Sequence, residues 1–235
     1  MHTYMLSIVD HNLRSNEGKV QWKTSGIVRN PLGLHGFLRG EGEASCIQWQ
    51  PNMHWIVSKI KKRDITICMG CIKVPEAQVV FCGKRFQAIE VLKMHCKKDS
   101  VAGIIGDVAC VDENSNVIVG DHGVAIAGDF GIAISGHFGL SQAGDYGSSS
   151  SGIGGSAKVG NHGMAEVEDF GIAMAGYNGI VVAGKDGEIQ IKYWDAKASR
   201  PRTVVGYIGE DGLLPKCHYK LDSSFRFVEA KDSDF

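Results

Sequence analysis

Residues 120–191 read GDHGVAIA (120–127), GDFGIAIS (128–135), GHFGLSQA (136–143), GDYGSSSS (144–151), GIGGSAKV (152–159), GNHGMAEV (160–167), EDFGIAMA (168–175), GYNGIVVA (176–183) and GKDGEIQI (184–191). These are nine octapeptides in one unbroken register, with Gly at the fourth position of all and at the first position of all but Glu168. A fixed short period without insertions is the mark of a solenoid, in which each unit buries its apolar side against its neighbours. Each octapeptide divides into a G-x-x-G turn and a four-residue strand. The flanking glycines are expected to supply positive φ, and the Asp or Asn between them to favour the turn.

Side chains alternate between the two faces of a strand. The sixth and eighth positions, from Ala125 and Ala127 to Ile189 and Ile191, are small or aliphatic and never charged. The fifth and seventh vary more, and include Ser148, Ser150, Lys158 and Glu166. An unpaired charge inside would be expensive, so the small face is the core and the variable face looks outward. An Ala/Ser core brings two sheets close together. A two-sided coil of about 16 residues therefore fits better than a three-sided one, whose interior such side chains would leave unfilled. Third-position residues His122, Phe130, Phe138, Tyr146, His162 and Phe170 should stack as aromatic ladders along the edges. Outward-facing Val124, Ile126, Ile132, Ile134, Ile172, Met174, Ile180 and Val182 are too apolar for a solvated sheet and mark an expected interaction face.

The flanks divide into an N-terminal α+β domain (1–103) and a C-terminal β cap with a tail (193–235), around a mainly β solenoid at 104–192. Degenerate repeats at 104–111 and 112–119 extend the period backwards. Strand-like runs at 5–9 and 19–22 read as hairpin partners. Residues 26–42 are Gly-rich, and strands at 65–74 and 78–81 flank Pro75. A helix is expected over 86–98, with Phe86, Ile89, Leu92 and Cys96 at helical spacing and a basic end, placed to cap the solenoid.

The chain of 235 residues carries 25 basic and 26 acidic residues, a formal net charge of −1, so no global field argues for nucleic acid or an anionic membrane. No apolar run reaches membrane-spanning length, and the first residues lack a secretory pattern. Seven cysteines, an odd number, then read as reduced thiols of a cytoplasmic protein. Cys68-x-x-Cys71, with Cys82 and His95, is the one zinc-like set, but its second pair of ligands is incomplete. Asp121, Asp129, Asp145 and Asp169 supply one carboxylate per turn, too few oxygens for calcium. No cofactor or metal is expected. His35, His54 and His95 lack a nucleophile or phosphate loop that would make them catalytic.

Two segments beside the repeats carry a resemblance: VVFCGKRFQAIEVL (79–92), within residues 67–92, and Tyr193-Trp194-Asp195 with GEDGLLPKCHYKLDSSFRFVEA (209–230). Together with the octapeptides they resemble a family of uncharacterised phage and bacterial proteins with tandem Gly-Asp/Asn-x-Gly octapeptide repeats, a domain of unknown function. The resemblance implies the architecture and a mobile-element setting, and no activity. The larger outer residues Ile132, Ile134 and Met174 depart from that family's Ser-rich pattern. The expected function is a non-enzymatic protein-interaction module, an inhibitor or decoy of a host protein that forms a homodimer through its solenoid. The alternative is an enzyme with its active site in residues 1–100 and the solenoid as oligomerisation scaffold. A deep polar pocket holding His or Cys in that region would favour the enzyme.

Overall fold

A computed structural model describes residues 1–15, 20–47, 49–50, 52–96 and 103–234. It divides into two compact units, Met1–Asp107 and Val108–Phe235.

In the first unit, β1 (His2–Val9), β2 (Gly26–Leu38), β3 (His54–Lys61), β4 (Thr66–Ile67) and β5 (Ile72–Gly83) form one antiparallel sheet in the order β2-β1-β3-β5-β4. β2 also pairs with β5, so the sheet closes on itself. Alternation sorts the side chains. Met5, Val9, Ile56 and Ile60 join the cluster around Trp22, Leu34 and Val74. Leu6, Ile8, Trp55 and Val57 join the cluster that holds helix α1 (Arg85–His95) through Ala88, Ile89 and Leu92.

Four expectations change here. β1 pairs along its length with β3 and at Met5 and Leu6 with β2, whereas residues 20–22 meet residues 13–14 in only a single bridge, Arg14 to Gln21. The Gly-rich stretch is the long strand β2. β5 runs through Pro75 unbroken, and its register shifts between Arg29 and Leu34 of β2, so the four residues Asn30–Gly33 bulge opposite the single residue Pro75, which has no N–H to give. On α1, Phe86 is exposed under the Arg85 guanidinium, 4.8 Å from the ring centroid, and Ala88 takes the buried place. Residues 97 and 98 of the expected helix lie outside the described residues.

In the second unit the octapeptides wind into a two-sided β-solenoid of about 5 turns, with about 16 residues per coil, between residues 108 and 191. One sheet holds β6 (Val108–Cys110), β8 (Val124–Ile126), β10 (Leu140–Gln142), β12 (Ser156–Lys158), β14 (Ile172–Ala175) and β16 (Glu188–Asp195). The facing sheet holds β7 (Asn116–Ile118), β9 (Ile132–Ser135), β11 (Ser148–Ser151), β13 (Met164–Val167) and β15 (Ile180–Val182). Antiparallel strands end both stacks: β17 (Arg200–Tyr207) beside β16, and β18 (Tyr219–Leu221) with β19 (Phe227–Glu229) beside β15. Tyr219, opposite Val181, joins the solenoid core with Ile208 and Leu213.

The small face is inside. Ala125, Ala133, Ala157, Ala165 and Ala173 have no exposed surface. The core is thin enough for hydroxyls of opposite sheets to touch, since Ser149 Oγ donates to Ser141 Oγ at 2.7 Å. Ser135 Oγ donates to Ser151 Oγ at 2.9 Å, so these buried hydroxyls satisfy one another.

The turns correct the assignment of positive φ. The residue with φ near +55° is the third, from His122 and Phe130 to Asn178 and Asp186, with Gly154 as the only glycine among the nine. The first glycine is required for a different reason. A Cβ there would lie within 2.7 Å of the side-chain acceptor on the second residue of the preceding coil: Asp121 under Gly136, Asp129 under Gly144, His137 under Gly152, Asp145 under Gly160, Asn161 under Gly176 and Asp169 under Gly184. Those acceptors bond the next coil, as when Asp129 Oδ1 accepts the N–H of Asp145 and Asp145 Oδ1 that of Asn161. Backbone atoms of the preceding coil come nearly as close, Glu113 N lying 2.7 Å from a Cβ at Gly128, and the one first position that is not glycine, Glu168, is the one that follows Ile153, whose side chain has no acceptor.

Two outcomes follow from this packing. Ala133→Leu should lower Tm more than Ile134→Ser, because overpacking a close-packed interior costs about 1–3 kcal/mol. Ile153→Asp alone should destabilise by pressing its carboxylate against Glu168. Adding Glu168→Gly should recover that loss, with a coupling of about 0.5–3 kcal/mol in a double-mutant cycle read by thermal melting. Additive effects would overturn this account of the turn.

Candidate functional site

The sixth and eighth positions are committed to the core, and the turns to coil-to-coil bonding. Among the strand residues, only the fifth and seventh positions remain for a partner. On the sheet of β6, β8 and β10 they run in register as Val108, Val124, Leu140, Ser156, Ile172 and as Cys110, Ile126, Gln142, Lys158, Met174. On the facing sheet they run as Asn116, Ile132, Ser148, Met164, Ile180 and as Ile118, Ile134, Ser150, Glu166, Val182.

The eight candidate residues therefore do not form one patch. Val124 and Ile126 share a sheet with Ile172 and Met174, but β10 and β12 lie between the pairs and bring Gln142, Ser156 and Lys158. Ile132 and Ile134 lie on the other side. Ile180 and Val182 are not available at all, at 7 % and 3 % exposed, because β15 is the strand beside which the closing strands β18 and β19 assemble. The pattern overlooked Leu140 and Ile118, which are 44 % and 47 % exposed. Leu140 was readable as the fifth residue of its octapeptide, and Ile118 as the seventh of a degenerate one. The outer apolar side chains are thus spread over both sheets: Val124, Ile126 and Leu140 with Ile172 beyond them on one side, Ile118, Ile132 and Ile134 on the other, of which Ile118, Ile132, Leu140 and Ile172 are exposed and the rest half-buried.

Edge ladders form at five of the six expected third positions, whereas Phe170 has Gly154 and Asp186 in its place one coil away and no ring to stack on. His122 stacks on Phe138 at 5.3 Å, Phe130 on Tyr146 at 5.2 Å and Tyr146 on His162 at 4.9 Å between ring centroids. The rings of Phe130, Phe138 and Tyr146 nevertheless remain more than half exposed along the edges.

The zinc-like set is pulled apart. Cys68 and Cys71 close a tight turn, the N–H of Cys68 donating to the Cys71 carbonyl at 2.9 Å. Cys82 lies at the far end of β5, roughly 30 Å along the strand. His95 stacks flat on Tyr4, with centroids 4.5 Å apart. Among the described residues no three His, Cys, Asp or Glu side chains gather to hold a metal ion. Burial pushes the Cys82 and Cys96 thiols up, which withdraws them from nucleophilic work. His54 begins β3, opposite Val9 of β1.

His35 and Cys71 do meet at a common feature. They line a cavity of about 330 Å³ in the first unit, with Trp22, Leu32, Phe37, Ile47 and Lys73. Its lining is mainly apolar, and no Asp or Glu among the described residues contributes to it.

Scanned against known protein families, curated proteins and solved structures, the chain matches none. No helix of the described residues is long and apolar enough to cross a membrane.

The thiols offer a direct check of these environments. Cys110, exposed on β6, should alkylate with iodoacetamide well before Cys82 and Cys96, whose raised pKa values lower the thiolate fraction at pH 8. Mass spectrometry of timed samples reads the order, and early labelling of Cys82 would contradict its placement.

Proposed function

We propose that the chain is a non-enzymatic interaction module that pairs with a second copy of itself through one outer face of its solenoid. The observation that carries this reading is the in-register cluster of Val124, Ile126 and Leu140, with Val108 beside it, on strands whose inner residues already complete the core. These four side chains are already more than half buried, so covering the remainder contributes about 2–5 kcal/mol before the costs of association. A two-fold pairing needs only one self-complementary patch, and a flat in-register sheet supplies it. Ser156 and Lys158 then lie at the rim, where the apolar rows end.

A further reading rests on the resemblance of residues 67–92 and 193–230 to the phage and bacterial repeat family. In it the module is a mobile-element inhibitor or decoy that binds a host protein. Affinity capture from a bacterial lysate with mass spectrometry tests that partner.

The enzyme alternative draws its support from the cavity with His35 and Cys71. Its apolar lining, without an acidic side chain among the described residues, favours binding over catalysis.

Light scattering coupled to size exclusion decides the self-association. The wild type should run as a dimer, and Val124→Asp with Leu140→Asp should give a monomer with unchanged β-type circular dichroism. Ile118→Asp with Ile132→Asp, on the facing sheet, should leave the dimer intact. A monomeric wild type sinks the pairing, and the reverse pattern of variants moves it to the other sheet.

A further inference from the structure

The cavity of the first unit is built around the bulge in β2. Residues Asn30–Gly33 stand where β2 and β5 lose register, and Asn30 Oδ1 accepts the N–H of Leu32 at 2.9 Å, which fixes the loop. Gly33 has φ +98°, and a Cβ there would lie within 2.8 Å of Cγ, Cδ and Cε of Lys73. The lysine stem thus lies flat on a floor that only glycine leaves open. The bulge and the lysine are fitted to each other at the wall of the cavity.

The charge at this wall is one-sided. Among the described residues Lys73 and His35 are the only basic residues of the lining, and no carboxylate accompanies them. Glu76, two strand positions beyond Val74, is already committed to Arg29 at 2.6 Å and Lys61 at 3.3 Å. Lys73 makes no ion pair among the described residues. Behind it, Trp22, Phe37 and Ile47 offer an apolar interior, and Trp22 is 2 % exposed.

We propose that this cavity binds a small amphiphilic acid, its apolar body among Trp22, Phe37 and Ile47 and its carboxylate at the Lys73 ammonium. A volume of about 330 Å³ sits at the small end of ligand sites, which suits one short chain or ring. A single ammonium suits a carboxylate. Phosphate sites bring several backbone N–H groups or a bidentate arginine, and no arginine lines this cavity.

Isothermal titration calorimetry of the full chain with octanoate, butanoate and octanol tests the assignment. Octanoate should bind saturably at one site, more tightly than either comparison compound, and should change the tryptophan fluorescence. Lys73→Met keeps the aliphatic stem over Gly33 and removes the charge. It should weaken octanoate by roughly tenfold, the loss of one charged hydrogen bond, and leave octanol unchanged. Leu32→Asp at the exposed rim should also weaken octanoate, without touching the packed interior. Absence of saturable octanoate binding, butanoate binding as tightly as octanoate, or undiminished octanoate affinity in Lys73→Met would each overturn the proposal.

Discussion

The solenoid depends on how one coil hands its turn to the next. The third residue of each turn sits at positive φ, and its N–H donates to a carbonyl of the following coil, as from Phe130 to Asp145 and from Phe138 to Ile153, both at 2.9 Å. The second residue adds a side-chain acceptor for the N–H of its counterpart one coil later, seen again where Asn161 accepts from Tyr177 and Asp169 from Lys185. Together they provide for backbone groups that the strand ladders do not reach. An aromatic residue in the left-handed region costs about 1–2 kcal/mol. Stacking against the same residue one coil away returns about 0.5–1.5 kcal/mol, so the ring and the strained backbone occur together for a reason.

This constraint explains why the interior is so small. Each coil advances by one strand spacing, so every inner residue rests on an inner residue of the same position above and below. Ala on Ala, or Ser on Ser, fills such a stack without rotamer conflict. Apart from Val159 and Val167, larger inner residues enter where the stack ends: Val117 and Val119 at one end, Val181, Ile189 and Ile191 at the other, where Ile208, Leu213 and Tyr219 join the same core. The Tyr219 hydroxyl accepts the N–H of Leu214 at 2.6 Å, so the plug brings its own polar partner.

The same logic sets what could be read from the sequence. The register, the inner face and the two-sided coil follow from alternation, because Lys158 and Glu166 could not be inside. The turn chemistry did not, because a glycine at a turn has two causes that look alike in sequence. One is a backbone that needs positive φ, and the other is a neighbour that leaves no room for a Cβ. The first glycines are of the second kind, and only Glu168 opposite Ile153 distinguishes them. In the first unit, β2 was hidden because its glycines and Pro31 read as punctuation. A closed sheet tolerates them where a bulge faces Pro75. The cavity was illegible for a related reason, since Lys73 and Gly33 belong to different strands and become neighbours only through that bulge.

What remains free in such a structure is narrow, and this directs where recognition can reside. Inner residues are held by the stack, third residues by the ladder, and second residues by the N–H they accept. The fifth and seventh residues alone can change without altering the coil. They are also where the octapeptides differ most, from Val124 and Ile126 through Ser148 and Ser150 to Lys158 and Glu166. Variation at positions the fold does not constrain would be featureless if solvent were their only neighbour, and polar residues would serve as well throughout. Leu140 standing in register with Val124, with Ser156 and Lys158 following, instead gives the sheet an apolar end and a polar middle. With Ile172 and Met174 apolar again beyond that middle, recognition on this sheet would be set by where the apolar rows are interrupted, which a contact surface requires and a bare scaffold does not.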